Sequence, residues 1–307
     1  MLQRMHSLLH QLYRQSKLET LGVMMEDRKE DKKDKLSEYK EKYIGMTNKN
    51  NQGCTMTIVD YINYHDVIVE FDDERKTRKH CHIKDFKKGQ VKNPFSKSIY
   101  GIGITGDKYP TRINKKQTKE YTAWKDMLKR CYDEKYKIKR PTYKNVTCCK
   151  EWLYYPNFYE WLHSQNNFNK WFNNNKFALD KDIIKKNNQI YSQDRCCLVP
   201  QNVNLLFVKN NAARGSLPIG VRKYNSKYRA ELSAKTNKGK NEPSIKTNKG
   251  KKMIHLGTYD TPEEAFNAYK EAKEKCIRQV AEEEFSQGNI TKECYNAMMN
   301  YEVEITD

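Results

Sequence analysis

The sequence predicts a multidomain α+β protein, and three observations support this fold class. The chain has 307 residues, of which 37% are hydrophobic and 32% charged, so two or three modest cores are expected in place of one large core. Apolar and polar residues alternate as in strands in residues 55–82 and again in residues 221–259. Between these regions, aromatic and aliphatic residues recur at helical spacing.

The charge of the chain predicts a polyanionic partner. The formal net charge is +19, from 58 basic and 39 acidic residues, and 21 tyrosines accompany the basic residues. Lysine neutralises phosphate, while tyrosine and asparagine can stack and hydrogen-bond, which favours nucleic acid over a merely solvated basic surface.

The sequence also carries expectations about location. It contains no run of about 18 apolar residues, so no membrane span is expected. The first residues do not have the pattern of a secretory signal, which predicts a cytoplasmic protein. Nine cysteines without regular spacing are interpreted as reduced thiols.

Two segments precede the first glycine-rich stretch. Residues 1–43 have dense charges of both signs, which predicts a charged helical extension. Residues 44–97 predict a small all-β unit, either a small barrel or a curled sheet. Its strand-like runs are Thr55 to Tyr61, Val67 to Phe71 and Thr77 to His82.

Residues 98–118 are interpreted as a linker. Three glycines in it, Gly101, Gly103 and Gly106, have G-x-G-x-x-G spacing. A dinucleotide site needs a helix opening on the third glycine, and Pro110 argues against one, so a flexible linker is favoured over nucleotide binding.

Residues 119–212 form the next predicted domain, which opens with helices. Their apolar residues repeat at helical spacing and are expected in a core rather than as base-stacking platforms. The main ones are Tyr121, Trp124, Leu128, Cys131, Trp152, Phe158 and Trp161.

Residues 217–285 have the clearest pattern in the chain. The strands "GVRKY", "KYRAELSA" and "KKMIHLGTY" predict a three-stranded antiparallel sheet. "TPEEAFNAY" predicts a helix with Thr261 as N-cap and Glu264 closing a capping box. Alternation places one set of side chains towards that helix: Val221, Tyr228, Ala230, Leu232, Ile254 and Leu256. The opposite face carries Arg222, Tyr224, Arg229, Glu231, Ser233 and His255.

The segments "IGVRK", "YRAEL" and "HLGTYDTPEEAFNAY" resemble the Apetala/ethylene-response-factor DNA-binding domain. The resemblance covers about one fifth of the chain and implies a sheet laid in the major groove of double-stranded DNA. Arg222 and Glu231 stand at the family's first-strand arginine and second-strand glutamate. The implied DNA-binding residues are Arg222, Tyr224, Arg229, Glu231 and His255.

The module also departs from that family. His255 replaces the usual third-strand tryptophan, and Tyr224 and Ser233 stand where arginines are common, so no sequence preference is carried over. The hexamer "KTNKGK" occurs at 235–240 and again at 246–251. It predicts a lengthened loop that either reaches along phosphates or is a tolerated insertion.

Four segments of residues 119–212 resemble phage proteins of the HNH or homing-endonuclease type. They are "YTAWKDMLKRCY", "VTCCKEW", "LDKDI" and "YSQDRCCLVPQNVN". The resemblance implies a degenerate ββα-metal domain over residues 119–212, with "FALDKDII", a loop, "CCLV" and a helix after Pro200. Asp180 then falls at the metal-binding aspartate, Lys181 at the water-activating histidine and Arg195 at the bracing asparagine.

Two defining residues of that pattern are therefore replaced. The candidate catalytic residues are Asp180, Lys181 and Asp182, with either Asp182 or Lys181 replacing the missing histidine in proton transfer. Asp180 with Asn202 or Asn204 would hold Mg²⁺ or Mn²⁺. The alternative is a decayed nuclease fold in which Asp180 and Asp182 make loop hydrogen bonds.

Cysteine spacing argues against zinc. Cys148-Cys149 and Cys196-Cys197 are adjacent pairs, whose side chains point to opposite faces of a strand, whereas structural zinc sites use C-x-x-C knuckles.

Residues 286–307 are interpreted as a C-terminal tail.

Together these patterns predict sequence-specific binding of double-stranded DNA with metal-dependent endonuclease activity, in a protein of a phage or mobile element acting in the host cytoplasm. A non-catalytic DNA-binding regulator that keeps a degenerate nuclease fold is the alternative. Single-stranded RNA is a less favoured partner.

Overall fold

The computed structural model describes residues 34–208, 216–234 and 252–305, and also residues 14, 15, 17 and 21. The chain divides into two compact units, Met1–Ser98 and Ile99–Asp307. Both combine helices with small sheets, so the predicted α+β class is confirmed. None of the described helices has the length and apolar content needed to cross a membrane.

From residue 34 onward, the first unit consists of a four-stranded antiparallel sheet and two helices. Its strands pair in the order β1-β2-β3-β4. The elements are α1 (34–43), β1 (Thr47–Lys49), β2 (Thr55–Asn63), β3 (Asp66–Phe71), β4 (Arg78–Cys81) and α2 (Ile83–Lys87). The predicted alternation is confirmed, because Val67, Val69 and Phe71 are buried.

This sheet does not close into a barrel. Among the described strands β1 pairs only with β2, and β4 only with β3. β4 has four residues, and the chain enters α2 almost at once after Cys81, so too little strand remains to reach β1. Of the two expected forms, an open curled sheet fits and a barrel does not.

The second unit begins with helices and two-residue strands. Up to residue 191 its elements are β5 (Arg112–Ile113), β6 (Lys116–Gln117), α3 (Lys119–Tyr132), α4 (Glu134–Lys139), β7 (Thr147–Cys148), α5 (Tyr155–Ser164), α6 (Phe168–Asn173), β8 (Phe177–Asp180) and β9 (Ile190–Tyr191). The aromatic residues predicted to be core are buried, and Trp124 Nε1 donates to Trp152 O at 2.7 Å.

The residues predicted as a linker pack against this helical core. Ile104 N donates to Leu153 O, and Tyr155 N donates to Ile104 O, at 2.8 and 2.9 Å. A Cβ atom added to Gly103 would lie 2.5 Å from Leu128 Cδ1. Close packing therefore accounts for a glycine at position 103 without a phosphate ligand.

The remainder of the unit is the sheet-and-helix module with its flanking elements. These are β10 (Cys197–Pro200), α7 (Gln201–Asn204), β11 (Val221–Tyr224), β12 (Lys227–Ala234), β13 (Lys252–Tyr259), α8 (Pro262–Ser286) and α9 (Lys292–Met299). The predicted capping box is present: Glu264 N donates to Thr261 Oγ1, and Thr261 N donates to the Glu264 carboxylate, both at 3.2 Å.

One apolar core joins this module to its neighbours. The six side chains predicted to face the helix all belong to it, which confirms that face assignment. Cys197, Val199 and Val203 enter the same core from β10 and α7, and Cys294 and Met298 enter it from α9. The predicted boundaries near residues 212 and 285 thus cross one continuous core, and residues 286–305 include a packed helix.

Gly220 offers a test of the packing between β11 and α8. Its φ is +75°, and an added Cβ would lie 2.0 Å from the Tyr269 ring. Gly101 has the same φ of +75° but open space around the Cβ position. We expect Gly220→Ala to lower the free energy of unfolding by about 1–3 kcal/mol more than Gly101→Ala, because only the former clashes with a packed ring.

Urea unfolding of the two variants beside the parent protein measures this difference. Equal losses would mean that the Tyr269 ring is not packed against Gly220.

Candidate functional site

The segment expected to carry catalysis is a loop between two paired strands. β8 pairs antiparallel with β10, with Asp180 opposite Cys197, and the short helix α7 follows β10 directly. The order strand, loop, strand, helix is therefore present. Asp180 ends β8, so its side chain sits where the chain leaves the strand.

The Asp180 carboxylate is turned into its own loop. The residue is 9% exposed, and its Oδ1 accepts backbone N–H bonds from Asp182 at 2.7 Å and Ile183 at 2.9 Å. Burial raises the pKa of this carboxyl above its ordinary value, although the two N–H donors act in the opposite direction. The side chain caps the turn that follows the strand.

Lys181 is engaged within the same loop. It is 8% exposed, and its Nζ lies 2.6 and 2.8 Å from the two Asp182 carboxylate oxygens and 2.7 Å from Asn188 O. An ammonium has three N–H donors, and these three contacts use all of them. Lys181 therefore links the start of the loop, at Asp182, to its end, at Asn188, and its Nζ is not free to act as a base.

Asn188 is the residue that braces this loop, and the sequence reasoning missed it. Its Nδ2 donates to Lys181 O at 2.8 Å and to Ile190 O at 2.7 Å, and its Oδ1 accepts from Arg195 Nη1 at 3.3 Å. Arg195, which the sequence analysis placed at the bracing position, contacts Asn188 instead. The only signal for Asn188 is the asparagine pair in the loop "KKNNQ".

The two predicted helix ligands lie on α7, which is only four residues long. Asn202 Nδ2 donates to Glu284 Oε1 on α8 at 2.7 Å, and Asn204 is half-buried on the same helix. Asn202 therefore joins α7 to α8.

The fit of these residues to Mg²⁺ or Mn²⁺ is poor. The Asp180 oxygen that faces the loop already accepts two N–H bonds, and the Asp182 carboxylate is neutralised by Lys181. Within the described part of the chain, no group of three or more His, Cys, Asp or Glu side chains is arranged so that it could hold a metal ion.

The outer face of the C-terminal sheet brings the predicted DNA-binding residues together. In the strand register Arg222 lies opposite Arg229, and Glu231 lies opposite His255. The Arg222 side chain is 71% exposed, and Tyr224 and His255 are exposed as well. This arrangement follows from alternation alone, since α8 packs on the opposite face.

Charge and stacking fix the positions of these side chains. Glu231 is 12% exposed, with its oxygens 3.5 Å from Arg222 Nε and 3.8 Å from Arg229 Nη1. The Arg229 guanidinium lies 3.7 Å from the centre of the Tyr224 ring, a cation–π contact. The Glu231 carboxylate therefore holds two arginines side by side. Both copies of the "KTNKGK" repeat, and the Ser233 side chain, lie outside the described residues.

Comparison with known proteins adds no relative. No protein-family model, no curated protein and no solved structure matches the chain. The interpretation therefore depends on the geometry of this molecule.

The role of Asp180 can be tested through stability. Asp180→Ala removes the acceptor of two loop N–H groups and should lower the free energy of unfolding by about 1–3 kcal/mol. Asp180→Asn keeps an acceptor oxygen at that position and removes the buried charge, so it should cost little or nothing at neutral pH.

The pH dependence has a defined sign. Because the pKa of Asp180 is raised in the folded protein, its contribution to stability is present below the ordinary value of 3.8 and is lost as the pH rises through the folded pKa. Asp180→Asn lacks that loss and should gain stability relative to the parent protein as the pH rises from 3.8 to neutrality. Unfolding curves over this range measure the trend, and a trend of opposite sign would contradict burial as the dominant effect.

Proposed function

We propose that this protein binds double-stranded DNA through the outer face of the sheet β11-β12-β13. The observation that carries the proposal is a paired arginine surface, Arg222 and Arg229, held on the side of the sheet away from α8. A sheet face or β-ribbon can enter the major groove, and arginine reads guanine edges and phosphates with two donors at once. The net charge of +19 supports the same partner.

Each residue of the face has a distinct part in this proposal. Arg222, the more exposed arginine, reaches phosphate or a base edge. Arg229 is oriented by the Tyr224 ring beneath it, so less side-chain freedom is lost on binding. Glu231 limits the rotation of both arginines and accepts from a cytosine amino group where one is presented. His255 adds a hydrogen-bonding imidazole opposite Glu231.

We expect Arg222→Gln to weaken duplex binding and to reduce the slope of log K against log salt by about 1, because one cation leaves the interface. Arg278→Gln is the matched control. Arg278 lies on α8, where it pairs with Glu274 at 3.9 Å, and it should leave binding unchanged. Fluorescence anisotropy with a mixed-sequence duplex at several salt concentrations measures both variants.

Equal losses in the two variants would mean that binding depends on overall charge rather than on this face. A single-stranded RNA competitor that displaces the duplex would transfer the proposal to RNA.

The loop 180–190 is proposed to be a scaffold, so that the protein acts as a non-catalytic DNA-binding regulator. This part is supported by the contacts of Asp180, Lys181 and Asp182, which are directed to one another and to the loop backbone. Such groups would have to break these bonds before they could hold a cation or move a proton.

Plasmid incubation with Mg²⁺ or Mn²⁺ tests the scaffold proposal. We expect no metal-dependent nicks or breaks from the full chain. Asp180→Asn is the informative variant, because it preserves the loop acceptor while it removes a metal-binding charge. Nicks that vanish both with EDTA and in Asp180→Asn would overturn the proposal and establish a metal-dependent endonuclease.

A further inference from the structure

Two histidines of the first unit face each other through their ring nitrogens. His65 Nδ1 and His82 Nδ1 lie 3.2 Å apart, with ring centroids 5.1 Å apart and planes inclined by 80°. Both residues are exposed. Neither residue belongs to the proposed DNA-binding face.

The backbone fixes both histidines. His65 lies in the turn between β2 and β3, where its N–H donates to Asn63 Oδ1 at 2.8 Å. His82 is the N-cap residue of α2 and makes no capping bond with its side chain. Ile83 N donates to Tyr64 O at 3.3 Å, which links the neighbours of the two histidines directly. The pair is therefore held by the fold before any ligand arrives.

The separation of the nitrogens suits a shared metal ion. A tetrahedral ion with metal–nitrogen bonds of about 2.0–2.1 Å places two ligand nitrogens about 3.3 Å apart. Without an ion, a hydrogen bond in which the N–H of one imidazole donates to the other ring nitrogen is the simpler explanation of the same distance. The two explanations differ in what the pair does when a metal is supplied.

Two acidic residues neighbour the pair in the chain. Asp66 follows His65 directly and pairs with His80 at 2.7 Å, and Asp85 lies in the first turn of α2, which His82 precedes. Carboxylates near a site favour a bound cation.

We propose that His65 and His82 form a chelating site for a divalent transition-metal ion such as Zn²⁺, bound through both Nδ1 atoms with water in the remaining positions. The pair supplies two protein ligands, and among the described residues no group of three or more metal-binding side chains is found. The ion would link the β2–β3 turn, through His65, to the start of α2, through His82. The cysteine-spacing argument against zinc does not apply to it, since both ligands are imidazoles.

Isothermal titration of the full chain with Zn²⁺, after EDTA treatment and under phosphine reduction, tests the site. His82→Gln should weaken the binding event about tenfold or more. His80→Gln is the matched control, because His80 lies on the same segment two residues away but pairs with Asp66 at 2.7 Å. It should bind Zn²⁺ as the parent protein does. Thermal unfolding should show a Zn²⁺-dependent rise in Tm that His82→Gln loses.

Three results would overturn the proposal: no Zn²⁺ binding by the parent protein, equal binding by all three proteins, or a loss in His80→Gln as large as that in His82→Gln. The second result would assign the ion to other groups, such as the nine cysteines. If His82→Gln changes the unfolding curve without metal, His65→Gln in the exposed turn takes its place and decides the same question.

Discussion

The C-terminal part of the second unit depends on one apolar core, the one between the C-terminal sheet and α8. Residues from β10, α7 and α9 enter the same core. Hydrogen bonds at the edge of the core also join these elements to one another. Asn167 Nδ2 donates to both Leu198 O and Asn289 O at 2.8 Å, and Asn202 reaches Glu284. Because α8 occupies the inner face of the sheet, the outer face is left to present Arg222 and Arg229.

The loop 180–190 illustrates how burial decides the role of a charged residue. A buried carboxylate is costly unless it is hydrogen-bonded, and two backbone N–H groups offset part of that cost for Asp180. A buried ammonium has the same requirement, which Lys181 meets with Asp182 and Asn188 O. The outer sheet face has the opposite balance: Glu231 is shared by two arginines, so net positive charge remains at the surface.

Short-range patterns in the sequence predicted much of this structure. The capping box of α8 and the two faces of β12 depend on residues one to three positions apart, and both are present. Contacts between distant residues were not predictable: the Asn202–Glu284 bond spans 82 positions, and its direction depends on how α7 meets α8. The brace at Asn188 was missed for a related reason, since bracing depends on which amide the folded loop encloses and not on alignment with a family pattern.

A shared core also links the two parts of the proposed function energetically. A ligand that binds only the folded state stabilises whatever unfolds together with its site. One core contains side chains from the C-terminal sheet, α8, β10 and α7. DNA bound at the outer face of the sheet would therefore also stabilise the β8–β10 pair, without contacting it. The β8–β10 pair therefore has a structural role that requires no catalytic activity. Val199 of β10 and Val203 of α7 complete the core on which the C-terminal sheet rests, so close packing constrains these two residues whether or not the loop 180–190 binds a ligand.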